Sequence, residues 1–143
     1  MKNLKKKTDR TTVVLSEHDY RLIKRYVQQA PAGEGLALEH EIERAIIVQK
    51  YAFPPHTVAL NSRVSVEEEV SKKVLEFTIV APVEANAAER RISVLSPLGT
   101  ALIGFRRGEL VEWRMPGGMR KFRILEVENT GHQSTDEVTQ AAA

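Results

Sequence analysis

The apolar positions of the first third of the chain follow a helical period. Within residues 11–51, apolar side chains recur three and four positions apart over residues 20–30 and again over residues 38–49. Ser16 is a suitable N-cap for the first stretch. Residues 31–35 separate the two stretches with one proline and two glycines, which favour a turn. The pattern predicts an antiparallel hairpin of two helices, each of roughly 14 residues.

The period changes to that of β-strands from Thr57 onward. Apolar and polar positions alternate, or apolar runs are bounded by turn residues, over residues 58–66, 73–82, 91–95, 109–115 and 119–128. Ser96 and Pro97 predict the start of a short helix that ends at Gly104. The predicted fold class is α+β: a short N-terminal helical hairpin followed by an antiparallel sheet of about five strands with one short helix.

The composition of the chain excludes several classes of protein but points to no particular chemical activity. The chain has 143 residues, of which 42% are hydrophobic and 28% charged, as in ordinary globular proteins. It has no cysteine, so disulfides and thiolate chemistry are excluded. No apolar run approaches the ~20 residues of a membrane span, and the basic start lacks the apolar segment of a secretory signal. We therefore expect a cytoplasmic protein without a membrane partner.

The positive charge is concentrated at the start of the chain. The net charge is +2, yet residues 1–10 hold five basic side chains and one acid, and acids outnumber basic side chains in the remainder. We predict a flexible basic tail at residues 1–10 and a second flexible tail at residues 131–143, which are small and polar. The alternative for the first tail is an arm that contacts phosphate or an acidic protein surface.

The sequence offers no catalytic constellation. The four histidines, His18, His40, His56 and His132, show no metal-ligand spacing. Neither a G-x-S-x-G turn nor a phosphate-binding glycine motif occurs. We predict no catalytic, cofactor-binding or metal-binding residue, and no cofactor.

Candidates for partner binding follow from residue type and position. They are Glu34 in the hairpin tip, Phe105, Arg106 and Arg107 in "GFRRG", and Trp113 and Met119 near the Pro-Gly-Gly turn. Exposed tryptophan is a frequent interface anchor. For Trp113 the alternative is core packing, and for the two arginines it is a charged hairpin loop.

Three segments of the chain resemble a known superfamily. They are "VALNSRV" (58–64), "ISVLSPLGTALIGFRRGE" (92–109) and "WRMPGG" (113–118). Together they resemble the C-terminal domain of the Gre transcript-cleavage factors, and the helical pair before "FPPHTVALNSRV" is similar in position and length to that of the Rnk branch. The resemblance covers roughly residues 12–130. It implies a helical arm at residues 11–53 and an FKBP-like domain at residues 54–130.

The resemblance implies a regulator that is not an enzyme. It would bind RNA polymerase near the secondary channel as a monomer, compete with Gre factors there, and meet nucleic acid only through the polymerase. Gre factors carry an Asp and Glu pair at the tip of a long arm, whereas this short arm offers only Glu34. That difference predicts the absence of transcript cleavage.

Three alternatives remain open at this stage. A Gre-type cleavage or elongation factor is the first. A prolyl isomerase of FKBP type is the second, and it would need a pocket built from the few aromatics of the sheet region, which are Phe77, Phe105, Trp113 and Phe122. Direct nucleic-acid binding through the basic tail is the third, and it would be steeply salt-dependent.

Overall fold

The computed structural model describes residues 13–129, so both predicted tails lie outside the described residues. The helices are α1 (Glu17–Gln29), α2 (Leu36–Glu43) and α3 (Pro97–Leu102). The strands are β1 (Val14–Ser16), β2 (Ile46–Val48), β3 (Arg63–Glu68), β4 (Val74–Val80), β5 (Arg91–Ser93), β6 (Leu110–Met115) and β7 (Gly118–Glu128). Single 3₁₀ turns lie at Lys50–Ala52, Pro82–Glu84 and Ala87–Glu89. None of the helices in this range is long and apolar enough to cross a membrane.

The main sheet has the five strands that the sequence predicts, in the order β5-β4-β3-β7-β6. All neighbouring strands are antiparallel except β5, which runs parallel to β4 at the edge. The predicted α+β fold, with a mostly antiparallel sheet, is confirmed. Strand β3, the first strand of the main sheet in chain order, begins at Arg63, later than predicted. Buried residues before it form backbone hydrogen bonds with loop residues. Val58 N–H, for example, donates to Phe105 O at 2.8 Å.

The helical hairpin is shorter than predicted. Helix α1 has 13 residues and begins at an N-cap, Ser16, whose hydroxyl accepts the Asp19 N–H. Helix α2 has only 8 residues, so the prediction of a helix through Gln49 is wrong beyond Arg44. Residues 46–48 instead form β2, which pairs in parallel with β1. The three residues of β2 are β-branched, and such side chains fit a strand better than a helix.

One hydrophobic core connects the hairpin to the sheet. Leu15, Ile23 and Leu38 of the N-terminal elements belong to the same buried cluster as Phe105 and Phe122 of the sheet region. A hydrogen bond reinforces the junction, since the Leu60 N–H donates to Asp19 Oδ2 at 3.0 Å. The arm is therefore anchored on the sheet along much of its length.

The turn between β3 and β4 is closed by a buried carboxylate, which predicts a pH effect on stability. Glu68 accepts hydrogen bonds from the Ser71 and Val70 N–H groups at 2.8 and 3.2 Å. The Ser71 side chain and these N–H groups, followed by the charge of Arg120, lower the pKa of Glu68 below its ordinary 4.5. A depressed pKa stabilises the fold above the unfolded value, and this contribution is lost as the pH falls through the folded value.

We expect Glu68→Gln to flatten the pH dependence of stability below about pH 4.5, the ordinary pKa of the group. The measurement is the free energy of unfolding in guanidinium chloride at several pH values between 3 and 7. Glu128→Gln, which removes an exposed carboxylate from the same sheet, is the control. An unchanged slope in Glu68→Gln would contradict the assignment.

Candidate partner-binding surface

The six predicted binding residues lie at separate places. Glu34 lies in the turn between α1 and α2, and Arg106 and Arg107 follow α3. Trp113 lies on β6 and Met119 on the paired strand β7. The structure therefore brings together only the last two of them on one surface.

The prediction that Phe105 contacts a partner is wrong. Its side chain is 1% exposed and belongs to the hydrophobic core. The backbone explains this placement, because the Phe105 N–H donates to Leu102 O at 3.0 Å and its carbonyl accepts from Val58. These bonds hold the residue beneath the end of α3, while the next residue, Arg106, turns outward.

Arg106 and Arg107 are exposed, and each has a carboxylate partner within the chain. The Arg106 N–H donates to Glu109 Oε1 at 2.8 Å, and its guanidinium lies 3.9 Å from the same carboxylate. Arg107 Nη1 lies 3.0 Å from Glu126 Oε1. This geometry agrees with the charged hairpin loop that the sequence left open as an alternative. Because the paired carboxylates offset the positive charges, the loop attracts an external anion only weakly.

Trp113 and Met119 border a surface groove of about 260 Å³ between the helices and the β6–β7 hairpin. We call it the Trp113 groove, and its walls include Glu41, Pro97, Thr100, Ala101, Trp113 and Met119. Trp113 is half-buried, and its ring centroid lies 5.5 Å from that of Phe122. It therefore packs on the core with one side and lines the groove with another, which supports the core-packing alternative and leaves partner binding as a prediction.

The groove combines apolar area with few polar groups. Met119 is 54% exposed and adds apolar area to the groove. The indole Nε1 of Trp113 is buried and has no hydrogen-bond partner among the described residues. Unpaired buried donors are rare in folded proteins, since each costs free energy. Trp113 therefore combines a buried, unpaired indole N–H with a place in the wall of the groove.

Sequence reasoning missed the other walls of the groove. Ala101 of α3 is half-exposed and lines the groove with Pro97. Ser96 and Pro97 mark the start of α3 in the sequence, and the helical period from that start indicates which of its residues face outward. Glu41 belongs to α2, and no pattern in the neighbouring sequence predicts that it lies near β6.

The described residues contain no obvious metal centre. Within residues 13–129, no group of three or more histidine, aspartate or glutamate side chains is placed to hold an ion. The Trp113 groove is lined mainly by apolar side chains, with Glu41 and Glu112 among its lining residues.

This combination of a short helical hairpin and a curled, mostly antiparallel sheet is the architecture of Gre-type transcription factors. The family described as "Transcription elongation factor, GreA/GreB, C-term" matches residues 54–129, and the chain belongs to this family. The resemblance seen in the sequence is thereby confirmed.

The relatives include both branches of the superfamily. The chain is 32% identical over 124 residues to the regulator of nucleoside diphosphate kinase of Escherichia coli (strain K12), covering 83% of this chain and 90% of that protein. It is 34% identical over 96 residues to transcription elongation factor GreA of Clostridium botulinum (strain Eklund 17B / Type B), covering 67% of this chain. The match spans only 60% of the length of that GreA protein.

A solved structure supports the same assignment. The transcription elongation factor GreA/GreB from Nitrosomonas europaea superposes with a TM-score of 0.70 at 31% identity, covering 82% of this chain and 98% of that one. The similarity includes the hairpin as well as the sheet, because the sheet region alone makes up little more than half of the chain.

Proposed function

We propose that this protein is a regulator that binds RNA polymerase near the secondary channel, competes with Gre factors and lacks transcript-cleavage activity. In this role it acts as a cytoplasmic monomer, and it meets nucleic acid only through the polymerase. The observation that carries the proposal is a Gre-type sheet joined to a hairpin whose helices have only 13 and 8 residues.

The short hairpin supports the absence of cleavage activity. At 1.5 Å per residue, α1 is about 20 Å long and α2 about 12 Å. The tip does not project freely, because Gly35 lies close to Leu95 of the sheet region. A tip held against the sheet reaches no further into a channel than the domain itself does.

The chemistry of the tip supports the same conclusion. Glu34 is the one carboxylate of the connecting turn between α1 and α2. Magnesium is usually held by several oxygen ligands, with one or two carboxylates and the substrate among them. A single exposed glutamate provides few oxygen ligands with which to help hold a magnesium ion in the active site of another protein.

We assign polymerase docking to the Trp113 groove. Aromatic residues and methionine are enriched at protein interfaces, and anchors such as tryptophan contribute most where they are partly enclosed. Trp113 and Met119 meet this description, whereas Arg106 and Arg107 are not among the residues that line the groove. The partner would present apolar side chains to this groove.

We expect Met119→Glu to weaken polymerase binding about tenfold, which corresponds to about 1.4 kcal/mol, because an unpaired carboxylate would be desolvated in an apolar contact. The measurement is a titration of labelled protein onto core RNA polymerase from its host. Val74→Glu is the matched control, since Val74 is 55% exposed. It lies on β4, which two strands separate from β6 in the sheet. Equal affinities of the two variants would contradict docking at the groove.

The same titration tests the proposal as a whole. Saturable binding that excess Gre factor displaces would support a site at the secondary channel. An absence of binding at micromolar concentrations would overturn it. A transcript-cleavage assay on stalled complexes completes the test, and the proposal expects no cleavage above that of polymerase alone.

The prolyl-isomerase alternative finds little support in the geometry. Such an enzyme needs an open aromatic pocket, but Phe77, Phe105 and Phe122 are core residues. Trp113 borders the Trp113 groove, and Phe77, which is 7% exposed, borders a mostly polar depression beside Arg63 and Glu76. Direct binding of nucleic acid through the basic tail concerns residues outside the described range.

A further inference from the structure

We propose that a second cleft, between the hairpin tip and the sheet, binds an arginine or lysine side chain within an apolar segment of a partner protein. We call it the tip cleft. Its volume is about 410 Å³, and its walls include Tyr26, Pro31 and Glu34 from the hairpin and Pro82, Val83 and Leu95 from the sheet region. This inference does not depend on polymerase binding or on the Trp113 groove.

The two walls of the cleft are held together by close packing. The turn of the hairpin is closed by a hydrogen bond of 3.0 Å from the Glu34 N–H to Pro31 O. Gly35 follows with φ +83°, and a Cβ atom at this position would lie only 3.4 Å from Leu95 Cδ2. The cleft is therefore formed before a ligand arrives, which reduces the entropy cost of binding.

The walls are mostly apolar and range from buried Leu95 to largely accessible side chains. Pro31, Pro82 and Leu95 line the cleft, and Val83 beside them is 90% exposed. A volume near the lower end of the usual range for ligand pockets suits one long side chain and part of its neighbours. Lysine and arginine bury their methylene stems along such surfaces while the charged end stays near water.

The charge of the cleft favours a cation. Glu34 is the only described lining residue that carries a full charge at neutral pH, and no described basic side chain pairs with it. The ring of Tyr26 adds an aromatic surface on which a cation can rest. Burial, followed by the charge of Glu84, raises the pKa of Tyr26, with Arg25 acting in the opposite direction. The phenol thus stays protonated and can donate to a ligand carbonyl.

The test uses the full chain labelled with ¹⁵N and three blocked peptides: acetyl-Leu-Arg-Leu-amide and its analogues with glutamine or glutamate in place of arginine. We expect the arginine peptide to shift the amide signals of Tyr26, Glu34 and Val83 saturably. The glutamine peptide should bind about three- to fivefold more weakly, as expected for loss of an exposed ion pair, and the glutamate peptide more weakly still.

The decisive variant is Glu34→Gln, which should abolish the preference for arginine over glutamine while leaving the fold unchanged, since Glu34 is exposed. Glu39→Gln, an exposed glutamate of α2 outside the cleft, is the matched control and should keep the preference. Signals that shift elsewhere, no binding at millimolar peptide, or an arginine preference that survives Glu34→Gln would each overturn the proposal. Equal binding of arginine and glutamine peptides to the wild type would show a purely apolar cleft and also overturn it.

Discussion

Replacing Gly99 with alanine is expected to destabilise the fold by about 3 kcal/mol, near the upper end of the usual cost of overpacking. A Cβ atom at this position would lie 2.3 Å from Ser93 O and 3.0 Å from Val94 Cα. Both are backbone atoms, so no side chain can rotate out of the way. The Ser93 carbonyl is also held in place, because it accepts hydrogen bonds from the Ser96 hydroxyl at 2.7 Å and the Ser96 N–H at 3.0 Å.

Thermal unfolding followed by circular dichroism measures this effect, and a drop in Tm of about 10 °C is expected for a domain of this size. Gly117→Ala is the matched control, because the nearest atom to its Cβ would be Arg120 Nη2 at 3.8 Å. That control should change the stability by less than about 0.5 kcal/mol. A Gly99→Ala protein that melts with the wild type would show that the α3–β5 junction is looser than described.

Replacing Asp19 with alanine is expected to cost about 2–3 kcal/mol, the range for hydrogen bonds that involve a charged group. The Asp19 side chain lies in the first turn of α1 and is 3% exposed. Its Oδ2 accepts the buried Leu60 N–H at 3.0 Å, so the alanine variant would leave that donor without a partner. The carboxylate also interacts favourably with the positive end of the helix dipole.

Equilibrium unfolding in guanidinium chloride provides the measurement for Asp19. Glu17→Ala is the control, because Glu17 lies in the same turn but is more exposed, with Arg21 as its partner at 2.8 Å. An exposed pair of this kind contributes less than about 1 kcal/mol. Asp19→Asn keeps an acceptor for Leu60 and should recover part of the loss. Equal stabilities of Asp19→Ala and Glu17→Ala would argue against a structural role for this junction.

Helix α2 connects the two proposed binding surfaces. Its N-terminal end follows Gly35, which packs near Leu95 beside the tip cleft. Glu41, near its C-terminal end, lines the Trp113 groove. The tip cleft itself is lined by α1, the turn and the sheet region, so the two surfaces share no lining residue.

Local signals in the sequence predicted the C-terminal half of the fold well. Ser96 and Pro97 begin α3 as expected, and the Ser96 hydroxyl accepts the Gly99 N–H at 3.1 Å. The Pro-Gly pair at residues 116–117 connects β6 and β7. These features depend on residues within a few positions of one another, which is why a single sequence was enough to predict them.

The N-terminal half and the candidate sites needed contacts between distant parts of the chain. Strand β2 pairs with β1, which lies about thirty residues earlier, and a three-residue strand has no stable form without such a partner. The burial of Phe105, the bond from Leu60 to Asp19 and the meeting of Glu41 with Trp113 have the same origin.

By itself, the sequence determined the α+β class, the five strands, the capped helix α3 and the superfamily, because period and turn chemistry are local properties. Only the tertiary structure decided where α2 ends, which predicted binding residues reach the surface, and which residues line the two clefts. Those outcomes depend on which distant side chains compete for the same core, and no local pattern records that competition.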